Sequence, residues 1–177
     1  MQVGNNKTKG LQKGHSGAMD SMAKTIDSSL RDIRNELYEE FRNIEGITMK
    51  KKVFYGASKT PCQPDGGAWY YNGALLAVFE AKKQANKGNA IERWYKNAYI
   101  CKKINKQVSY VTFCCGEGAT TDGVMAKILD VAHDGIFNIY RGGDNSCYLS
   151  KEGFAKEYLK HTMREIIHER IQHEKSK

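Results

Sequence analysis

Asp65, Glu80 and Lys82 are the residues whose types and spacing come nearest to a chemistry. Asn72-Gly73, set between two extended apolar runs, is the strongest short-range signal for a two-residue type I′ turn, so the stretch from Pro64 to Lys82 reads as a hairpin. With Tyr71 paired to Ala74, stepping outward one residue at a time brings Asp65 directly opposite Glu80. Lys82 shares their face, because strand side chains alternate with period two, and Lys83 points to the other. Opposed carboxylates repel unless a cation lies between them, and a divalent cation is the usual remedy. Two carboxylates holding Mg2+, with an ammonium beside them to position or deprotonate a water, are what phosphodiester hydrolysis requires. The same three residues would also make a plain surface salt-bridge cluster. Against that stands their convergence at one end of a hairpin whose other residues, Trp69, Leu75, Leu76, Val78 and Phe79, are apolar and expected to be buried.

Pro64-Asp65 followed by Glu80-Ala81-Lys82 resembles the pattern of the PD-(D/E)XK nucleases. Gly88-Asn89-Ala90-Ile91-Glu92-Arg93, with Lys96-Asn97 shortly after, is similar to the recognition segment of the EcoRI and MunI group of type II restriction endonucleases. The likeness covers about residues 60–118. It implies an α/β fold, a restriction-endonuclease-like core with a mixed central sheet flanked by helices. It also implies Asp65, Glu80 and the Ala81 carbonyl as Mg2+ ligands, Lys82 as the catalytic lysine, and a glutamate of the first helix (Glu36, Glu39 or Glu40) as an accessory group. Gly88, Asn89, Ala90, Glu92, Arg93 and Lys96 would contact double-stranded DNA at a target containing AATT, with Glu92 and Arg93 bridging its half-sites. In EcoRI a long insertion separates the catalytic lysine from this motif. Here five residues separate Lys82 from Gly88, so the DNA-embracing arm which that segment helps to form is not carried over.

Asn89 and Glu92 have a second account, as the N-cap and third residue of a capping box opening a helix. A short extended approach through Gly88-Asn89-Ala90 would let the same residues lie along base edges in a major groove, where Asn and Arg hydrogen-bond to purines and Glu accepts from exocyclic amines. The two roles can coexist.

The elements that must hold these groups are legible from periodicity. Met22, Ile26, Leu30, Ile33, Leu37, Phe41 and Ile44 predict an amphipathic helix over about 20–44, stopped by Gly46. Short extended pieces follow at 47–49 and 52–55, then the hairpin. The second helix presents Ile91, Trp94, Tyr95, Ala98 and Tyr99 to the core, and an interior strand runs from Val108 to Cys115. A helix over about 121–133, a strand at 136–140 and a last helix capped by Ser150 complete the order. Two apolar rows on that last helix, one through Phe154, Tyr158, Thr162 and Ile166 and one through Ala155, Leu159, Met163, Ile167 and Ile171, predict a wide buried face. Residues 1–18, with four glycines and three lysines, read as a flexible basic arm ahead of a single domain over 19–177.

Composition narrows the partners. The 177 residues carry 28 Lys and Arg against 20 Asp and Glu, a net charge of +8, which favours a polyanion such as nucleic acid. No apolar run approaches the roughly 20 residues of a membrane span, and no signal peptide opens the chain, so a cytoplasmic, prokaryotic-type location without membrane contact is expected. Five cysteines with no C-x-x-C pair fit reduced thiols. The histidines lack the spacing of a zinc helix, Glu117 reads as turn chemistry, and no phosphate-binding loop is present, which excludes a nucleotide cofactor. The expectation is a Mg2+-dependent type II site-specific deoxyribonuclease, homodimeric because two strands of a palindrome need two sites. A junction-resolving or repair nuclease on the same scaffold, and a DNA-binding protein without catalysis, stay open.

Overall fold

The computed structural model describes residues 26–54, 61–83, 88–115, 137–141 and 156–177. The first helix, α1 (Ile26–Phe41), buries Ile26, Leu30, Ile33, Leu37 and Phe41 as its four-and-three spacing requires. It ends at Phe41, before the expected stop at Gly46. Gly46 instead takes a φ of +93° at the entry to the first strand, a conformation glycine adopts without Cβ strain.

Five strands make one sheet, in spatial order β1 (Ile47–Lys50), β2 (Ala68–Tyr71), β3 (Ala74–Lys83), β4 (Ser109–Cys115) and β5 (Phe137–Arg141). The first three run antiparallel as a meander, while β4 and β5 lie parallel to β3. Parallel neighbours need a crossover, and α2 (Gly88–Ile104) lies between β3 and β4 in the chain. The extended piece expected at 52–55 reduces, among the described residues, to a single bridge between Val53 and Cys62.

α1 and the last helix, α3 (Lys156–Lys175), pack on each other and on β3. Between them lies a core of Trp69, Phe79, Phe113, Met163 and Ile167. Of the two apolar rows expected on α3, Leu159, Met163, Ile167 and Ile171 are buried, while in the other Ile166 is partly buried against the core and Tyr158 is exposed; Phe154 and Ala155 lie outside the described residues. α2 covers the opposite face. Its Ala98 and Cys101 are buried outside that core cluster, and the helix contacts β3. Tyr99, expected on the inner face, is outside on α2 and exposed. The result is a mixed α/β architecture with helices on both faces of a mixed sheet. The basic arm, the helix expected at 121–133, Glu117 and the Ser150 cap lie outside the described residues.

The hairpin turn is the expected one, with φ of 49° at Asn72 and 85° at Gly73. The register beyond it is not. Tyr71 faces Ala74 and Tyr70 faces Leu75, but Trp69 faces Ala77, so Leu76 is the extra residue of a bulge. That shift removes the direct opposition of Asp65 and Glu80 predicted from an unbroken ladder.

Candidate active site

Asp65 reaches Glu80 from a turn. Pro64 to Gly67 close a turn through a 3.1 Å bond from the Gly67 N–H to the Pro64 carbonyl, and the Gly66 N–H donates to the Phe79 carbonyl at 2.9 Å. Both glycines are required by this approach. A Cβ on Gly66 would meet the Phe79 Cβ at 2.5 Å, and Gly67 has φ of +85°. The turn is thereby pressed against β3 with Asp65 beside the strand residue next to Phe79.

That residue is Glu80, 5% exposed and following six apolar residues of the strand. Its Oε1 accepts from the Asp65 backbone N–H and its Oε2 from the Tyr110 hydroxyl, both at 3.4 Å and so at the long end for such bonds. The two carboxyl groups are near neighbours, and each acts on the other's electrostatics. Two carboxyls brought this close repel one another when both are ionised. Burial pushes the Asp65 carboxyl above the ordinary carboxylate range, the charge of Asp27 adds to this, and the Glu80 hydrogen bond and Arg31 pull the other way. The Tyr110 hydroxyl is pushed well up as well, by complete burial and then by the charge of Glu80.

Two arginines from α1 border the pair. Arg31 Nη1 lies 3.0 Å from Asp65 Oδ1 and 3.9 Å from Asp27 Oδ2. Arg34 is buried and donates to the Asp65 carbonyl at 3.4 Å and to Asn35 Oδ1 at 3.2 Å. Burial first, and then Arg31, lowers the Arg34 guanidinium from its usual range. Asp27 and both arginines were not singled out by sequence reasoning. The signal was faint: Asp27, Arg31 and Arg34 follow the helical repeat, but only the fold shows which end of the helix meets the hairpin.

The accessory glutamates expected from α1 point elsewhere. Glu36 is held by Lys156 and Lys160 at 2.6 and 2.9 Å, Glu40 by Arg164 at 2.9 Å, and Glu39 lies 3.4 Å from Arg42. The first-helix acid beside the pair is Asp27, whose charge bears on Asp65.

Ala81 is buried in β3 and Lys82 follows it, paired through the backbone with Cys114 of β4. The side chain of Lys82 lies outside the described set, as do those of Asn89 and Glu92. Gly88, Asn89 and Ala90 are the first three residues of α2, so the extended approach to a groove and the N-cap position of Asn89 are both corrected: this stretch is helical. The local reason is that the helix pattern runs one residue further back than the capping box marks, within the usual latitude of helix ends. Arg93 and Lys96 are exposed on α2.

The described residues hold no group of three His, Cys, Asp or Glu side chains placed for a metal ion. Two carboxylates suffice for Mg2+, which takes one or two of them and keeps several waters. Asp65 and Glu80 are neighbouring hard oxygen donors, with Arg31 half exposed at their edge. The donor set therefore fits that ion. No described helix is long and apolar enough to cross a membrane. Comparison of the chain with protein-family models, with curated proteins and with solved structures finds no match in any of the three.

Proposed function

We propose that the chain is a Mg2+-dependent, sequence-specific double-strand deoxyribonuclease of the PD-(D/E)XK type, acting as a homodimer on a target containing AATT. The observation that carries this reading is the Asp65–Glu80 pair. A fold that sinks one carboxyl into a strand, lays a second on it through a glycine turn and raises the proton affinity of the second has built a group costly to keep without a function.

Asp65 and Glu80 would hold the ion, with the Ala81 carbonyl alongside. Mg2+ supplies a water made nucleophilic at neutral pH and relief of charge on the phosphate. Lys82, two residues beyond Glu80 in β3, is assigned to position or deprotonate that water. Arg31, half exposed beside Asp65, would supply a guanidinium able to bond a phosphate bidentately. Base reading falls to the first two turns of α2, with Asn89, Glu92 and Arg93 as readers, and Gly88 and Ala90 allowing close approach.

One observation favours a second reading. Arg31 already balances Asp65 at 3.0 Å, as in a closed ion-pair network of a DNA-binding protein without catalysis. Incubation with plasmid and Mg2+ separates the readings. Discrete fragments with AATT at their sequenced ends are expected. Cutting of branched DNA alone would mean a junction-resolving enzyme, and retarded, intact plasmid would mean a binder.

A further inference from the structure

Resting on the deoxyribonuclease reading, we propose that the C-terminal half of α2 and the turn after it form a sequence-independent docking site for the phosphate backbone of duplex DNA, separate from the Asp65–Glu80 cluster. A cavity of about 370 Å3 is lined there by Tyr99, Lys102, Lys103 and Lys106. Tyr99 is 56% exposed and Ile104 39%, so this end of the helix offers broad side chains to solvent. The Lys103 ammonium stands 5.1 Å from the centre of the Tyr99 ring, a cation–π contact that holds it over the cavity.

Charge and spacing choose the occupant. From Arg93 to Cys115 the sequence holds five basic residues, Arg93, Lys96, Lys102, Lys103 and Lys106, and no Asp or Glu. Lys96 and Lys103 are two helical turns apart and so lie on one face, opposite the buried Ala98 and Cys101. From Arg93 to Lys103 the helix covers about 15 Å at roughly 1.5 Å per residue, a length that tracks several phosphates of one strand. An acid-free row with an aromatic-braced lysine is complementary to a polyanion of regular charge spacing. The face begins at the turns assigned to base reading, so one helix would carry both contacts, the specific at its start and the unspecific at its end.

The test is fluorescence anisotropy on a duplex of arbitrary sequence, without divalent cation, over a salt series. Each phosphate that the protein ceases to neutralise lowers the slope of log K against log salt by about 0.9. The variant Lys102→Gln/Lys103→Gln/Lys106→Gln is expected to lower it by about 2–3, whatever the sequence of the duplex. The control Lys50→Gln/Lys51→Gln/Lys52→Gln removes the same charge from exposed positions at the β1 edge and is expected to leave the slope as in the parent. Equal reductions in both variants, an unchanged slope in the first, or no binding by the parent would overturn the site. Melting curves of both variants establish that they are folded, and Lys103→Arg is expected to keep the parent slope. Because no cleavage is read, a parent that binds through this face and never cuts plasmid leaves the docking site standing while the nuclease reading falls. A parent that cuts, with the slope of the first variant unchanged, does the reverse.

Discussion

Asp65 is a carboxyl whose burial works against its ionisation, and that separates a site from a salt bridge. Its folded proton affinity exceeds the unfolded one, so the cost of burying it is absent below the ordinary carboxylate range. The full cost is borne once the pH has risen above the folded value. Asp65→Asn, neutral at every pH, is therefore expected to raise the melting temperature at neutral pH, and the gain should vanish on acidification. A structural ion pair with Arg31 predicts the opposite, a lower melting temperature in neutral buffer. The same substitution, Glu80→Gln or Lys82→Ala should each lower cleavage by about a hundredfold or more while DNA binding survives. Mg2+ gives a readout independent of turnover. At about a hundred times its dissociation constant it should stabilise the parent by about 2.7 kcal/mol, and Glu80→Gln should abolish the effect. Because burial raises the proton affinity of Asp65 and Mg2+ would bind its ionised form, Mg2+ affinity should fall as pH falls, and calorimetry in buffers of different ionisation heat should detect the proton released to the buffer. An affinity flat through the acid range would remove the pair as ligands.

At the scale of elements, the hairpin shows what alternation can and cannot say. The type I′ turn at Asn72-Gly73 and the burial of Trp69, Leu75, Leu76, Val78 and Phe79 were legible, because turn chemistry and apolar runs are local. The bulge at Leu76 was not, since nothing in an apolar run marks which residue will be left unpaired. Asp65 and Glu80 still meet, by means of the glycine turn. Gly66→Ala is expected to cost about 1–3 kcal/mol, because the new methyl collides with Phe79 inside a packed core, and to lower cleavage further than stability accounts for. Gly73→Ala has open space around it and costs only the φ penalty of about 1–2 kcal/mol, with no effect on cleavage per folded molecule. Equal loss of activity per folded molecule in both would show that the Gly66 turn does not position Asp65. For α2 the helix was legible and its start was not. Gly88-Asn89-Ala90 reads as a helix entry and forms the helix itself. If the first two turns read bases, Arg93→Ala should cost about 1–3 kcal/mol on a duplex containing AATT and little on a scrambled one. A similar loss on both duplexes in anisotropy at one salt concentration would make Arg93 a phosphate contact.

For the whole molecule, α1 ties the two sides of the site to the core. Its N-terminal half supplies Asp27, Arg31 and Arg34 to the Asp65 turn, and its C-terminal half is laced to α3 through Glu36 and Glu40. The apolar seam between these helices was legible from the four-and-three repeat. The ion pairs were not, because partners about 120 residues apart in the chain leave no spacing to read. These pairs have the opposite pH sign to Asp65. Hydrogen bonds from Lys156 and then Lys160 hold the Glu36 carboxyl below its ordinary range, and Arg164 does the same for Glu40. Their stabilisation is present above the unfolded carboxylate pKa and is lost as pH falls through the depressed folded values. Glu36→Gln/Glu40→Gln should thus lower the melting temperature at neutral pH and match the parent in acid, whereas Asp65→Asn gains at neutral pH and matches it in acid. Being partly exposed, each pair is worth about 0–1 kcal/mol, and about 1 M salt, with a screening length near 3 Å, should erase most of it. Melting curves of the three proteins over pH, at low and high salt, put both claims on one axis. A parent whose stability is indifferent to Glu36 and Glu40 at low salt would show that the apolar seam of Leu37, Phe41, Met163 and Ile167 holds α3 alone.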